Sequence, residues 1–181
     1  MLQIIKQDLY RYQPCPYSLK VLFKGFRSQG FRYLFFKRLR DYYGKKSLIG
    51  AVSKLFLHRY TYKYGFQIGG KIGHGFYIGH FGTIVVSQNA VIGVNCNIAH
   101  GVTIGVARRG KHKGAPVIGD KVWMGTNAII VGKIFIGDDV MIAPGAFVNF
   151  DVPSDSIVIG NPGIIVPKSN ATLGYINNTL L

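Results

Sequence analysis

The pattern of apolar and polar positions changes once along the chain, near Gly65. Before it, apolar residues come in clusters. Leu19, Val21, Leu22, Phe23 and Phe26 form one, and Phe31, Tyr33, Leu34, Phe35, Phe36 and Leu39 form the next, with Arg and Lys between them. This clustering predicts helices over about residues 18–43 and 47–60, broken at Gly44-Lys45-Lys46. After Gly65 a period of six takes over. Ile118, Met124, Ile130, Ile136, Ile142 and Val148 recur without a slip, and Val122, Ala128, Ile134, Val140 and Ala146 fall two residues before the last five of them. Val86, Ile92, Ile98 and Ile104 obey the same rule earlier in the chain. Small residues usually follow the lead aliphatic, as at Gly93, Ala99, Gly105, Gly119 and Gly125.

A helix repeats near 3.6 residues and a strand every second residue, so six fits neither alone. It fits a short strand followed by a corner. The lead aliphatic points inward, a small residue makes the turn, and the residue four after the lead points inward again. Stacked turns then bury a continuous apolar column. Cys96, four after Ile92, occupies an inward position and reads as core rather than as a nucleophile.

The chain has 181 residues, and 48% of them are apolar, enough for one domain with an appendage. The segments read as a basic, aromatic, helical part over 1–64, the repeat over 65–166 and a C-terminal tail over 167–181. Charge follows the same division. Residues 1–64 hold 14 Lys/Arg against 2 acids, a balance of +12, and residues 65–181 hold 8 against 5. The basic helices either pack as a cap on the rest of the chain or lie on an anionic membrane. Amphipathic helices generally face a protein core, which favours the cap. Lys6 and Asp8 interrupt the first residues, so no signal peptide is expected, and no apolar window reaches the length of a membrane span. The expected location is the cytoplasm, with peripheral contact at the inner membrane face as the alternative. Cys15 and Cys96 make no disulfide framework, and His58, His74, His80, His100 and His112 lack ligand spacing, so no metal is expected.

Four stretches carry a resemblance: Lys71-Ile-Gly-His-Gly-Phe-Tyr-Ile-Gly-His-Phe-Gly-Thr-Ile-Val-Val86, Ala99-His-Gly-Val-Thr-Ile-Gly105, Val122-Trp-Met-Gly125 and Val158-Ile-Gly-Asn-Pro162. Residues 65–166 resemble the bacterial hexapeptide-repeat transferases, most of all the serine acetyltransferase branch and its relatives in surface-polysaccharide gene clusters. The resemblance implies a mainly β protein: a left-handed parallel β-helix with an N-terminal α-helical segment. That handedness opposes the usual crossover preference and comes from the family alone. The resemblance also implies an acetyl-CoA-dependent O-acetyltransferase, a homotrimer that can pair into a dimer of trimers, and active sites between subunits.

Acyl transfer to a hydroxyl needs a base, donors for the oxyanion and a groove for the CoA arm. His80 matches the family's catalytic histidine within Tyr-Ile-Gly-His-Phe-Gly-Thr. It also sits where the period slips, because Ile78 to Val86 is eight residues rather than six. The bland alternative is an exposed turn histidine. His100 shares the hexad phase of His80 one turn later, which places the two imidazoles on one face about 5 Å apart by strand spacing. It either contacts substrate or lines the cleft. Between Ile104 and Ile118 a basic, glycine-containing loop, 106–116, leaves the coil. Arg108, Arg109, Lys111 and Lys113 there suit the phosphates of CoA, unless the loop is merely solvated, and His112 is an acceptor-contact candidate. By family position, Gly105, Val106, Gly125 and Thr126 border the CoA arm. Trp123 is expected to pack at an interface.

Serine acetyltransferases carry an acid before the catalytic histidine, another about one coil earlier, and a further histidine before a proline. Here those positions read Gly79, Gly65 and Ala115. The expected acceptor is therefore a sugar of surface-polysaccharide synthesis. Serine, for cysteine synthesis, is the alternative, and a non-catalytic scaffold is a third reading. Nucleic acid is not an expected partner.

Overall fold

The computed structural model describes residues 1–180; Leu181, the last residue of the expected tail, lies outside them. Four helices precede the strands: α1 (Leu2–Tyr12), α2 (Leu19–Gly25), α3 (Gln29–Tyr43) and α4 (Leu48–Tyr64). From Phe66 the chain coils into a parallel β-solenoid with three faces. The first face carries five strands, Phe66–Ile68, Ile84–Val86, Thr103–Gly105, Ile129–Val131 and Phe147–Val148. The second carries Lys71–Ile72, Val91–Ile92, Val117–Ile118 and Phe135–Ile136. The third carries Tyr77–Ile78, Asn97–Ile98, Trp123–Met124, Val140–Ile142 and Ser156–Ile159, and Ile164–Pro167 closes it antiparallel.

The apolar period accounts for this coil. Every lead residue from Val86 to Val148 is buried, as are Val122, Ala128, Ile134, Val140 and Ala146. These side chains form one column through the middle of the prism. Each strand is too short to stand alone, so pairing above and below supplies its hydrogen bonds. The corners add a feature that apolar periodicity does not show. The third residue after the lead adopts a positive φ at Gly75, Asn95, Gly101, Lys121, Asn127, Asp139 and Gly145. Glycine and asparagine tolerate that conformation best, which is why they recur there.

The helical part differs from its sequence-based expectation in two ways. The helix expected over residues 18–43 is two helices, because the chain turns at Phe26–Ser28. Arg32 closes that break by donating to the Phe26 carbonyl from both Nε and Nη2, at 2.9 and 2.6 Å. Helix α1 falls within the helical part expected over residues 1–64 but outside the two helices the apolar clusters predict. It buries Ile5 and Leu9 against Phe31, and it also buries Asp8 and Arg11, charges that broke its apolar pattern.

Those charges clamp the helices to the first turn of the coil. Asp8 accepts from Arg38 of α3 at 2.8 Å and from the Phe76 N–H at 3.1 Å. Arg38 also donates to the carbonyls of Ile72 and Gly73, at 2.6 Å each. Arg11 donates to the Gly75 carbonyl and the Asn97 side chain, at 2.5 Å each. Burial pushes the Asp8 carboxyl above its ordinary value, against the downward pull of Arg38. Further along α1, the Tyr12 hydroxyl accepts from the Ile78 N–H at 2.8 Å. Helix α3 approaches the same strand so closely that a Cβ on Gly30 would collide with the Ile78 carbonyl. No described helix is long and apolar enough to cross a membrane.

Residues 168–180, expected as a tail, lie back along the third face. Thr172 donates to Asp139, Asn97 donates to the Tyr175 carbonyl at 2.9 Å, and Arg11 donates to the Asn177 carbonyl at 2.9 Å. Trp123 packs on Tyr175 of this segment, with ring centroids 4.9 Å apart.

This packing has two measurable consequences. Arg38→Met strands a buried carboxylate and should cost about 3–5 kcal/mol in urea unfolding. Asp8→Leu combined with Arg38→Met should recover part of that loss, and an unchanged midpoint for the single variant would contradict the clamp. The second concerns Cys96, whose thiol burial pushes up to about 12, while Cys15 is exposed. Alkylation at pH 8 followed by mass spectrometry should modify Cys15 alone in the native protein and both thiols after denaturation.

Candidate active site

The site lies at the corner that follows the third face. A plain turn of the coil takes 18 residues, as Ile129 pairing with Phe147 shows. Ile78 instead pairs with Ile98, 20 residues on. Register is already plain again where Val86 pairs with Ile104. The two additional residues therefore sit in the corner between Ile78 and Ile84, which holds His80. That corner is tied down at its far side, where the Gly82 N–H donates to the Tyr64 carbonyl and the Ile84 N–H to the Gly65 carbonyl, both at 2.9 Å. Its neighbour one turn on is tied to it, because the Gly101 N–H donates to the Thr83 carbonyl at 2.6 Å. Gly82, at φ 135°, passes beneath His100, where a Cβ would come 3.1 Å from the His100 Cβ.

Stacking of equivalent corners brings the two imidazoles together. His80 and His100 lie edge to face with ring centroids 5.9 Å apart. His80 is exposed and His100 half-buried. The Nδ1 of His100 is buried with no hydrogen-bond partner among the described residues, which leaves Nε2 as the nitrogen at the open end of the ring. Among the described residues no carboxylate bonds to either imidazole, and no cluster of three metal-ligating side chains occurs. A cavity of 290 Å³ opens beside His80, lined among others by Tyr77, Asn97, Trp123, Thr126 and Tyr175. A larger one, 440 Å³, lies between α1, α3 and Lys71, and holds no histidine.

The residues singled out for CoA fall into two groups. Gly125 and Thr126 follow the strand Trp123–Met124, so they stack on the same corner as His80 and His100, and Thr126 lines the cavity beside His80. Gly105 ends the strand Thr103–Gly105 on the first face and Val106 follows it, so both lie at the next corner. The loop leaves from there as a short hairpin, with Ala107 and Gly114 bridged antiparallel. It is tethered one turn on by the Lys133 N–H, which donates to the His112 carbonyl at 2.8 Å. Arg108, Arg109, Lys111 and Lys113 are exposed on it, in no salt bridge among the described residues. One chain therefore does not bring His112 or the basic loop into the cavity of His80.

Sequence reasoning missed Tyr77, Asn97 and Tyr175 as cavity walls. Tyr77 and Asn97 each precede a lead isoleucine, an outward position that the hexad pattern leaves unspecified. Tyr175 carried no signal at all, since its segment was read as a tail. Trp123 packs on the chain's own C-terminal segment.

No protein-family model matches the chain. It is 33% identical over 111 residues to a serine acetyltransferase of Synechococcus elongatus, covering 61% of this chain and 46% of the relative. It is 35% identical over 132 residues to a serine acetyltransferase of Bacillus subtilis, covering 72% and 58%. The chain thus spans about half the length of the curated relatives it matches. Among solved structures, it is similar to the Neisseria gonorrhoeae serine acetyltransferase in complex with serine, with a TM-score of 0.72 and 30% identity over 91% of this chain and 68% of that one. The Brucella abortus enzyme in complex with coenzyme A superposes with a TM-score of 0.75 at 26% identity, over 93% and 68%. A three-faced coil of hexads, paired histidines on one corner and these relatives agree: the chain belongs to the hexapeptide-repeat acyltransferases, in the serine acetyltransferase branch.

Proposed function

We propose that the chain is an acetyl-CoA-dependent O-acetyltransferase. The observation that carries this reading is the edge-to-face pair His80 and His100, with His80 lining an open cavity, on an otherwise regular coil. In the proposed reaction His80 takes the proton of the acceptor hydroxyl as its oxygen attacks the thioester carbonyl. The tetrahedral intermediate collapses with loss of the CoA thiolate, and the imidazolium returns its proton to that sulfur. His100 is the contact that holds the acceptor or the carbonyl oxygen through Nε2.

The reading includes a trimer. The histidine corner and the basic loop belong to different edges of one prism, so side-by-side copies would join the loop of one to the histidines of the next. The loop cations then meet the phosphates of CoA, and Gly125 and Thr126 border its arm.

Serine is the acceptor to test first. The relatives are serine acetyltransferases, and one neighbour holds serine. The sugar acceptor expected from Gly79, Gly65 and Ala115 gains nothing from these relatives, and serine replaces it as the leading reading.

Release of free CoA should require both acetyl-CoA and L-serine. His80→Ala should lower kcat about 10²- to 10⁴-fold with an unchanged melting temperature, since the side chain is exposed. Full activity in that variant would sink the base assignment. A panel of sugars that reacted where serine did not would replace the acceptor alone. Arg108→Gln with Arg109→Gln should raise KM for acetyl-CoA about tenfold and leave kcat in place.

A further inference from the structure

Helix α4 is built inside out. Its buried face carries Gly50, Ser53 and Tyr64, with Leu57 and Tyr60 partly covered. Its opposite face carries Leu48, Val52, Leu55, Arg59 and Tyr62, spaced as one stripe along a helix. Leu48 is 80% exposed, Leu55 70% and Tyr62 78%, with Ile49 and Phe56 exposed along one side. An isolated exposed leucine means nothing, but a contiguous apolar stripe on a helix marks a surface that something covers.

The surrounding charge says what covers it. Lys45, Lys46, Lys54, Arg59 and Lys63 flank or interrupt the stripe, and no acid occurs from Tyr42 to Tyr64. Tyr42 and Tyr43 stand exposed just before the helix. A second copy of the same face would bring these cations together with no counter-charge. A nucleic acid would meet the cations but leave the leucines uncovered. An anionic bilayer satisfies both, with aliphatic side chains entering the acyl boundary, tyrosines at the headgroup level and lysines on lipid phosphates. We infer that α4 docks this protein peripherally on an anionic membrane surface, lying in its plane. At 17 residues with charges along it, α4 does not cross the bilayer. The inference does not rest on the proposed acetyl transfer, and neither falls with the other.

The test is co-sedimentation of the full chain with vesicles of phosphatidylcholine alone and of phosphatidylcholine mixed with phosphatidylglycerol. The protein should pellet with the mixed vesicles, and less so as salt is raised. It should stay in the supernatant with the neutral ones. Leu48→Gln with Leu55→Gln should weaken binding at least about tenfold, because both side chains are exposed and their loss removes the apolar contact. Lys45→Gln and Lys46→Gln should each weaken it about fivefold. Circular dichroism and CoA release without vesicles should stay at the level of the unaltered chain in all these variants. No binding to mixed vesicles, or binding undiminished by the leucine substitutions, would overturn the proposal. So would a fall in oligomeric mass in the leucine variant, which would give the face to a second copy. Tight binding to DNA that ignores the leucines would overturn it too.

Discussion

Stacking of each turn on the one before it is the constraint from which the rest of the structure follows. Strands of two or three residues cannot hold themselves, so each takes its hydrogen bonds from the strand above and below. Inward aliphatics every sixth residue make that stacking favourable by burying one continuous column. A consequence is that side chains at equivalent corner positions line up along an edge. His80, His100 and Thr126 are such a file, each two residues after an inward lead on the third face. The two-residue insertion before Ile84 lengthens only the first of these corners, which holds the exposed His80, without disturbing the register of the next strand.

The helical cap serves the same corner. Asp8, Arg11 and Arg38 satisfy carbonyls and N–H groups of residues 72–76, which an open first turn would otherwise leave to solvent. Tyr12 bonds the backbone of Ile78, two residues before His80. A buried ion pair contributes little net stability by itself, but removing one partner is costly, so the clamp fixes where the helices sit more than how tightly they bind. From the other side, the C-terminal segment places Tyr175 on Trp123 and completes the wall of the cavity. Tyr12 of α1 and Tyr175 of the C-terminal segment thus lie on either side of the His80 corner.

Much of the coil was legible in the sequence because its signal is local and repeated. A six-residue aliphatic period has one simple structural meaning, and the eight-residue gap at His80 stands out against it. The left-over parts carry no period. Helix α1 was hidden because Asp8 and Arg11 look like surface charges until Arg38 and the carbonyls of Gly73 and Gly75 are placed beside them. The break at Phe26–Ser28 depends on Arg32 reaching back to a helix end, a contact made across six residues. The return of the tail depends on single polar contacts to Asp139, Asn97 and Arg11. Within the site, the histidine pair followed from hexad phase, whereas the separation of the basic loop onto the neighbouring edge needed the three faces to be assigned.

A crystal structure of the chain with coenzyme A bound would show whether the histidine corner and the basic loop of neighbouring copies form one site. The CoA sulfur should lie beside His80 and His100 of one copy, with its phosphates against the loop 106–116 of an adjacent copy. A CoA whose sulfur lies away from both histidines, or whose phosphates touch no copy of that loop, would contradict this arrangement.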